Sequence, residues 1–356
     1  MATTNLNLPS YIPLNNKSSK RRRLTPETSP VPPKVVTKPP LAGLPPWTDP
    51  NTKYSRGVVG LHEEIEDFYR WVAPSPTSHQ ARLEVVERVR AGIKQVWPAA
   101  QVETFGSFRT GLYLPSSDLD LVVFGKWEVL PLRTLERELL DRKIPQPDTM
   151  LVLDRASVPI IKMVDRITGI KVDISFNLVN GVKSAQLVNM FKKQFPALPK
   201  LVSVLKQFLL SRDLACVYTG GLSSYCLTLM VVSFLQLHPR TGVDCLSANL
   251  GVLLLEFLQL YGCSFNYNSL AISVREGGSY LSKQQLKLES DINHRWAPTE
   301  GLAMEDPLQP GRDMARASHR VETVRQAWAV AFRKLAGGVR AGGGGRGGLA
   351  RVISWE

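Results

Sequence analysis

Residues 117–124 read SDLDLVVF, two aspartates one residue apart at the mouth of an apolar run. Side chains of a strand alternate faces. Asp118 and Asp120 therefore share one face, and Leu119 and Leu121 share the other. A chain that carries this stretch has to build a sheet with one face in a core and a pair of carboxylates on the other. Two unpaired carboxylates a few ångströms apart repel each other. A divalent cation relieves the repulsion, and Mg²⁺ prefers carboxylate oxygen. A third carboxylate, Asp173, lies in KVDISFN (171–177), with Val172 and Ile174 on the opposite face. If the two strands are neighbours, three carboxylates converge. Three can hold two metal ions about 3.5–4 Å apart, an arrangement suited to phosphoryl transfer. Upstream, Gly106-Ser107 follows the strand-like QVETF. Glycine permits a tight turn and close backbone approach, and the serine hydroxyl with nearby amides can bind phosphate. FRTGLYL (108–114) reads as a short helix aimed at the same spot.

The rest of the chain arranges itself around this centre. Residues 1–55 are rich in Pro, Ser, Thr and Lys and read as a disordered basic tail. Within it, KSSKRRR (17–23) reads as a nuclear import signal. The net charge of +13 is concentrated at the ends, with a surplus of five over residues 1–50, five over 318–356 and only three between. Basic ends suit a polyanion such as nucleic acid. A helix is predicted near 58–74, with Leu61, Ile65, Phe68 and Trp71 or Val72 on its apolar face. A second helix follows over 78–97, with Leu83, Val86, Val89, Ile93 and Val96 inward and Pro98 as its stop. Strands are predicted over 101–105, 119–124, 150–154, 158–165 and 171–177, with a helix over 131–143.

Beyond about residue 186 the pattern is mostly helical, over 198–214, 220–237, 246–262 and 321–335. A hairpin or turn region falls at 265–280, residues 281–301 are polar without clear period, and 336–356 reads as a flexible Gly/Arg-rich tail. The longest apolar stretch (222–237) is 16 residues and contains Ser, Thr and Gln, so it reads as a core helix and no membrane association is expected. The four cysteines show neither a C-x-x-C pair nor accompanying histidines, which argues against a zinc site or a disulfide framework.

FGSFRTGLYLPSSDLDLVVFGKW, with VPIIKMVD and VKVDISFN, resembles the nucleotidyltransferases of the DNA polymerase beta superfamily. Within that superfamily it is similar to the non-canonical poly(A) RNA polymerases of the topoisomerase-related-function type. VYTGGLSSYCLTLM and EDPLQPG extend the resemblance, which covers about residues 58–335. It implies an α+β fold, a mixed-sheet catalytic palm (78–186) inserted into a helical central domain (58–74 and 187–335). It implies template-independent addition of AMP from ATP to RNA 3′ ends, with Mg²⁺ or Mn²⁺ on Asp118, Asp120 and Asp173, and with Asp173 helping to activate the RNA 3′-hydroxyl. Gly106 and Ser107 would hold the triphosphate, and Asn180 and Gly181 would meet the ribose. Lys206 would meet the terminal phosphates, Ser224 would bind phosphate, Tyr225 would stack on the base, and Asp306 belongs to the loop that reads the base. Expected partners are a zinc-knuckle RNA-binding protein and a helicase-type protein. The expected location is the nucleus, including the nucleolus, with some protein in the cytoplasm.

The match has departures. Arg312 stands where the family usually has Asn, and Ala315 where it has Gly. Related uridylyltransferases commonly carry His at the Arg312 position, and arginine brings a fixed charge with five donors and no acceptor. A terminal uridylyltransferase and a catalytically weak RNA-binding scaffold are the rival readings.

Overall fold

The computed structural model describes residues 44–156, 158–240, 248–293, 298–340 and 348–354. The expected import signal, and residues 341–347 and 355–356 of the expected Gly/Arg-rich tail, lie outside them. The described residues form two compact units, one of 74–185 and one joining 44–73 to 186–354. The chain begins in the second unit with α1 (Gly57–Val72). The first unit follows as α2 (Pro76–Val96), β1 (Gln101–Thr104), α3 (Gly106–Thr110), β2 (Leu119–Phe124), α4 (Leu132–Asp141), β3 (Leu151–Leu153), β4 (Ile160–Val164) and β5 (Lys171–Phe176). Helix α5 (Val179–Gln194) returns the chain to the second unit, which continues through α6 (Leu198–Leu210), α7 (Ser224–Gln236) and α8 (Leu250–Gln259). Last come β6 (Leu270–Ser273), β7 (Ser279–Ser282), α9 (Lys283–Asn293), β8 (Glu305–Asp306), β9 (Gln309–Asp313) and α10 (Val321–Arg340).

The first unit is a five-stranded mixed sheet in the order β1-β2-β5-β4-β3, in which only β2 and β5 run parallel. One face carries Leu119, Leu121, Val172 and Ile174, all fully buried, against α2 and α4. Each such side chain contributes about 1.5–3 kcal/mol by leaving water. A slip of one residue between β2 and β5 would turn this row to solvent, so the core itself fixes the register. Polar bonds reinforce it. Ser175 Oγ donates to Leu121 O (3.2 Å), and Asn177 exchanges two 3.0 Å hydrogen bonds with the backbone of Gly125.

Helix α2 differs from its predicted face by one position. Leu83 is 37% exposed, whereas Arg82 is 2% exposed and points inward. The guanidinium donates to the carbonyls of Pro115 (2.9 Å) and Ser117 (3.0 Å) and lies 4.7 Å from the Tyr113 ring centroid. These partners offset the cost of burying its charge.

In the second unit α1 lies against α6, α8 and α10. Leu61, Ile65, Phe68 and Val72 are its buried apolar residues. Trp328 of α10 is fully buried, edge-on to Phe257 of α8 at 5.4 Å. Helix α7 is buried all round over residues 226–235, a run that is apolar apart from Thr228 and Ser233. No helix among the described residues is long and apolar enough to cross a membrane.

Parts of both expected tails are packed into the second unit. Trp47 and Tyr54 are buried, and Trp47 packs edge-on against Phe68 at 5.1 Å. Helix α10 runs to Arg340, and Leu349, Val352 and Ile353 are buried beyond the Gly-rich stretch. Glu64, wholly buried on α1, accepts hydrogen bonds from Trp47 Nε1 (3.3 Å) and from the Leu349 N–H (2.7 Å). It thereby ties both terminal segments to one helix. Burial pushes its carboxyl up, against the backbone and indole donors that pull it down.

Candidate active site

Strand β2 opens on the two aspartates of the sequence motif. Asp118 immediately precedes it, and Asp120 is its second residue. The parallel ladder sets Asp120 directly beside Asp173 of β5, on the face opposite Leu119 and Ile174. The expectation that these strands are neighbours therefore holds.

The Gly-Ser segment is built against this pair. Gly106 has φ +60°, and a Cβ placed on it would lie 2.2 Å from Asp120 Oδ2. Only glycine lets the backbone come so close to the carboxylate. The Phe105 N–H donates to Asp120 O at 3.1 Å and keeps the segment on the strand. The short helix lies upstream of its predicted place. It runs Gly106–Thr110 and is capped by Gly111, which adopts the left-handed conformation. The loop from Gly111 to Asp118 is held by the two Arg82 bonds, a tether the sequence reading missed.

A cation already faces the carboxylates. Lys162 of β4 is the register partner of Asp173 on the side away from Asp120, and its ammonium is ion-paired with Asp173 Oδ2. Asp120, Asp173 and Lys162 thus form a row across three strands. Burial raises the Asp173 carboxyl, Lys162 pulls it back down, and Asp118 adds a smaller upward push. Among the described residues, no three His, Cys, Asp or Glu side chains are grouped so that they could hold a metal ion, so the structure brings Asp120 and Asp173 side by side but does not gather the expected trio with Asp118. The donor chemistry nonetheless suits a hard divalent cation, because two carboxylates share one sheet face, although the Lys162 ammonium already pairs with one of them.

Asn180 and Gly181 open α5 in the same unit. A Cβ on Gly181 would lie 2.8 Å from the Phe105 ring, so the start of α5 packs on the residue preceding Gly106. Lys206, Ser224, Tyr225, Asp306 and Arg312 belong to the second unit. Lys206 is buried on α6, Ser224 is the first residue of α7, and Tyr225 is half-buried beside it. Asp306 and Arg312 sit on the β8–β9 hairpin, where Asp306 accepts from the Leu308 N–H (2.9 Å) and exposed Arg312 donates to Gln309 Oε1 (2.7 Å). Cys226 Sγ donates to Met314 O at 3.6 Å, so the start of α7 adjoins the end of the hairpin. Asp313, absent from the sequence reading, accepts from Thr299, Met304 and Ala315 and anchors the hairpin base.

Residues 61–193 match the central palm domain of mitochondrial-like poly(A) RNA polymerases, and residues 249–312 match the Cid1 family poly A polymerase domain. Over 297 residues the chain is 43% identical to the inactive non-canonical poly(A) RNA polymerase protein Trf4-2 of Drosophila melanogaster, covering 82% of this chain and 72% of that protein. The chain belongs to the non-canonical poly(A) RNA polymerase family. It is also 40% identical to the poly(A) RNA polymerase cid14 of Schizosaccharomyces pombe over 77% of this chain, but spans only 40% of that protein's length. The polymerase core of TRAMP, an RNA surveillance complex, superposes with a TM-score of 0.72 at 33% identity, covering 83% of this chain and 94% of that one. The Cid1 poly(U) polymerase, with a TM-score of 0.64 at 23% identity over 77% of this chain and 94% of its own, shares the fold. Membership in this family makes the mixed sheet a nucleotidyltransferase palm.

Proposed function

We propose that the chain adds AMP from ATP to RNA 3′ ends without a template. The observation that carries this reading is the register of Asp120 beside Asp173, with Asp118 two residues ahead of Asp120, immediately before β2. Asp118, Asp120 and Asp173 would hold Mg²⁺ or Mn²⁺, which supplies charge neutralisation at the attacking and leaving oxygens. Asp173 is the group assigned to take the proton of the RNA 3′-hydroxyl. The freed oxygen attacks the α-phosphorus in line, and pyrophosphate departs.

Gly106 and Ser107 would hold the triphosphate, and Lys206 would neutralise its terminal phosphates. Asn180 and Gly181 would contact the ribose, and Ser224 would bind phosphate. Tyr225 offers a flat ring to the base, and the hairpin of Asp306 and Arg312 would read its edge. Catalysis is then chiefly positioning and charge stabilisation. Nuclear RNA processing, surveillance or turnover, with a zinc-knuckle RNA-binding protein and a helicase-type protein as partners, is the setting we assign.

The test uses purified protein, Mg²⁺, ATP and an RNA oligomer. Replacing Asp118 and Asp120 together by Ala is expected to lower tailing by at least about a hundredfold. Unchanged tailing would overturn the reading. A second reading, an RNA-binding subunit with little catalysis, is favoured by the Drosophila relative, which is described as inactive at 43% identity. Salt-sensitive RNA binding without pyrophosphate release would select it. Arg312, where the family usually has Asn, puts the adenine preference in doubt, and competition among the four nucleotides on one RNA would reveal a third reading, a uridylyltransferase.

A further inference from the structure

We propose that Lys162 is the resident counter-cation of the carboxylate site, occupying Asp173 in the metal-free protein and setting how tightly a divalent cation binds there. The inference rests on the metal-binding reading above and goes beyond it.

Three observations carry it. First, the antiparallel β4–β5 ladder places Lys162 directly opposite Asp173, and the parallel β2–β5 ladder places Asp120 on the other side. Lysine and carboxylates are thus fixed by strand register, so the contact is not an accident of a mobile surface chain. Second, the ammonium pairs with Asp173 Oδ2, one of the two oxygens that this carboxylate could offer a metal ion. Third, the Asp173 side chain is 14% exposed while that of Lys162 is 42% exposed. The carboxylate is held in place and the lysine has a path to solvent.

A buried carboxylate beside another carboxylate is costly without positive charge. Lys162 supplies that charge when no metal is present. A divalent cation arriving at Asp173 meets the positive charge already paired with that carboxylate. Repulsion by that charge is strong enough to change an affinity many-fold. The ammonium therefore has to leave Oδ2 and swing outward as the cation takes its place. Lys171, two residues from Asp173 on β5, is exposed and only a minor influence on that carboxylate.

The probe is Mn²⁺, titrated into the full chain at pH 8 without ATP or RNA, with free Mn²⁺ followed by electron paramagnetic resonance. Lys162→Met keeps the length of the side chain and removes its charge. It is expected to bind Mn²⁺ at least about fivefold more tightly than the wild type. Lys162→Arg, which retains the charge, is expected to stay within about twofold. Equal or weaker binding by Lys162→Met overturns the proposal. Asp118→Ala with Asp120→Ala separates the two ideas. Mn²⁺ binding that survives this change removes the metal site and the inference together. Binding that needs the aspartates but ignores Lys162 removes the inference alone.

A measurement on the wild type covers the case in which Lys162→Met fails to fold. Acylation of lysines by an N-hydroxysuccinimide ester, read by mass spectrometry, is expected to rise at Lys162 when Mn²⁺ is added. No rise would contradict displacement of the ammonium.

Discussion

At Gly106 a side chain would collide with Asp120, since the nearest carboxylate oxygen stands 2.2 Å from where a Cβ would be. The positive φ adds a second penalty for any other residue. Gly106→Ala is therefore expected to cost about 1–3 kcal/mol in urea unfolding and to weaken Mn²⁺ binding by displacing Asp120. Normal Mn²⁺ affinity in this variant would show that the glycine does not set the carboxylate's position. Arg82 acts at one remove from the same pair. Lysine cannot reach both carbonyls, so Arg82→Lys is expected to lose about 1–3 kcal/mol and to slow AMP addition, while RNA affinity measured by anisotropy stays the same. The aspartates and Gly106 were legible in the sequence because spacing and residue type carry their meaning. Arg82 was not, because a charged residue beside Leu83 on a helix reads as the solvent face until the loop that accepts its donors is in view.

At the scale of elements, the site depends on one parallel ladder. Asn177 has φ +53° and closes the far end of β5 onto Gly125 by two hydrogen bonds. Asn177→Ala removes both and keeps an unfavourable backbone conformation. The expected cost is about 2 kcal/mol, with faster amide exchange at Val123 and Phe176. Unchanged exchange there would mean that the apolar face alone holds the register. The five strands of the palm were readable from alternation and short apolar runs. Helix α5 was missed because VNGVKSAQ has a Gly early and little period, and packing supplies what propensity lacks. The β8–β9 hairpin was missed because QPGRD is not a strand by composition. It is held by side-chain bonds to Asp313 that no local pattern announces.

At the scale of the molecule, the second unit is sewn together by a buried acid. Glu64 ties Trp47 and Leu349, residues nearly the whole described chain apart, to α1. Glutamine offers one acceptor where two are used. Glu64→Gln is expected to cost about 1–3 kcal/mol and to release amide protection over residues 348–354. Because burial raises the Glu64 carboxyl, its ionisation works against folding. Its contribution is fully present below the unfolded value and is lost as pH rises through the folded one. Composition made both ends look free, yet a few apolar residues near each end were enough to dock them. The division of labour between a sheet that carries carboxylates and a helical unit was visible from the change in periodicity near residue 186.

The most direct test is the rate of pyrophosphate release from ATP in the presence of an RNA oligomer and Mg²⁺, compared between the wild type and Asp173→Asn. The wild type is expected to release pyrophosphate only with RNA present. Asp173→Asn is expected to be slower by about a thousandfold at an unfolding midpoint within a few degrees of the wild type. A variant within tenfold of the wild-type rate would contradict the claim that Asp118, Asp120 and Asp173 act as one site.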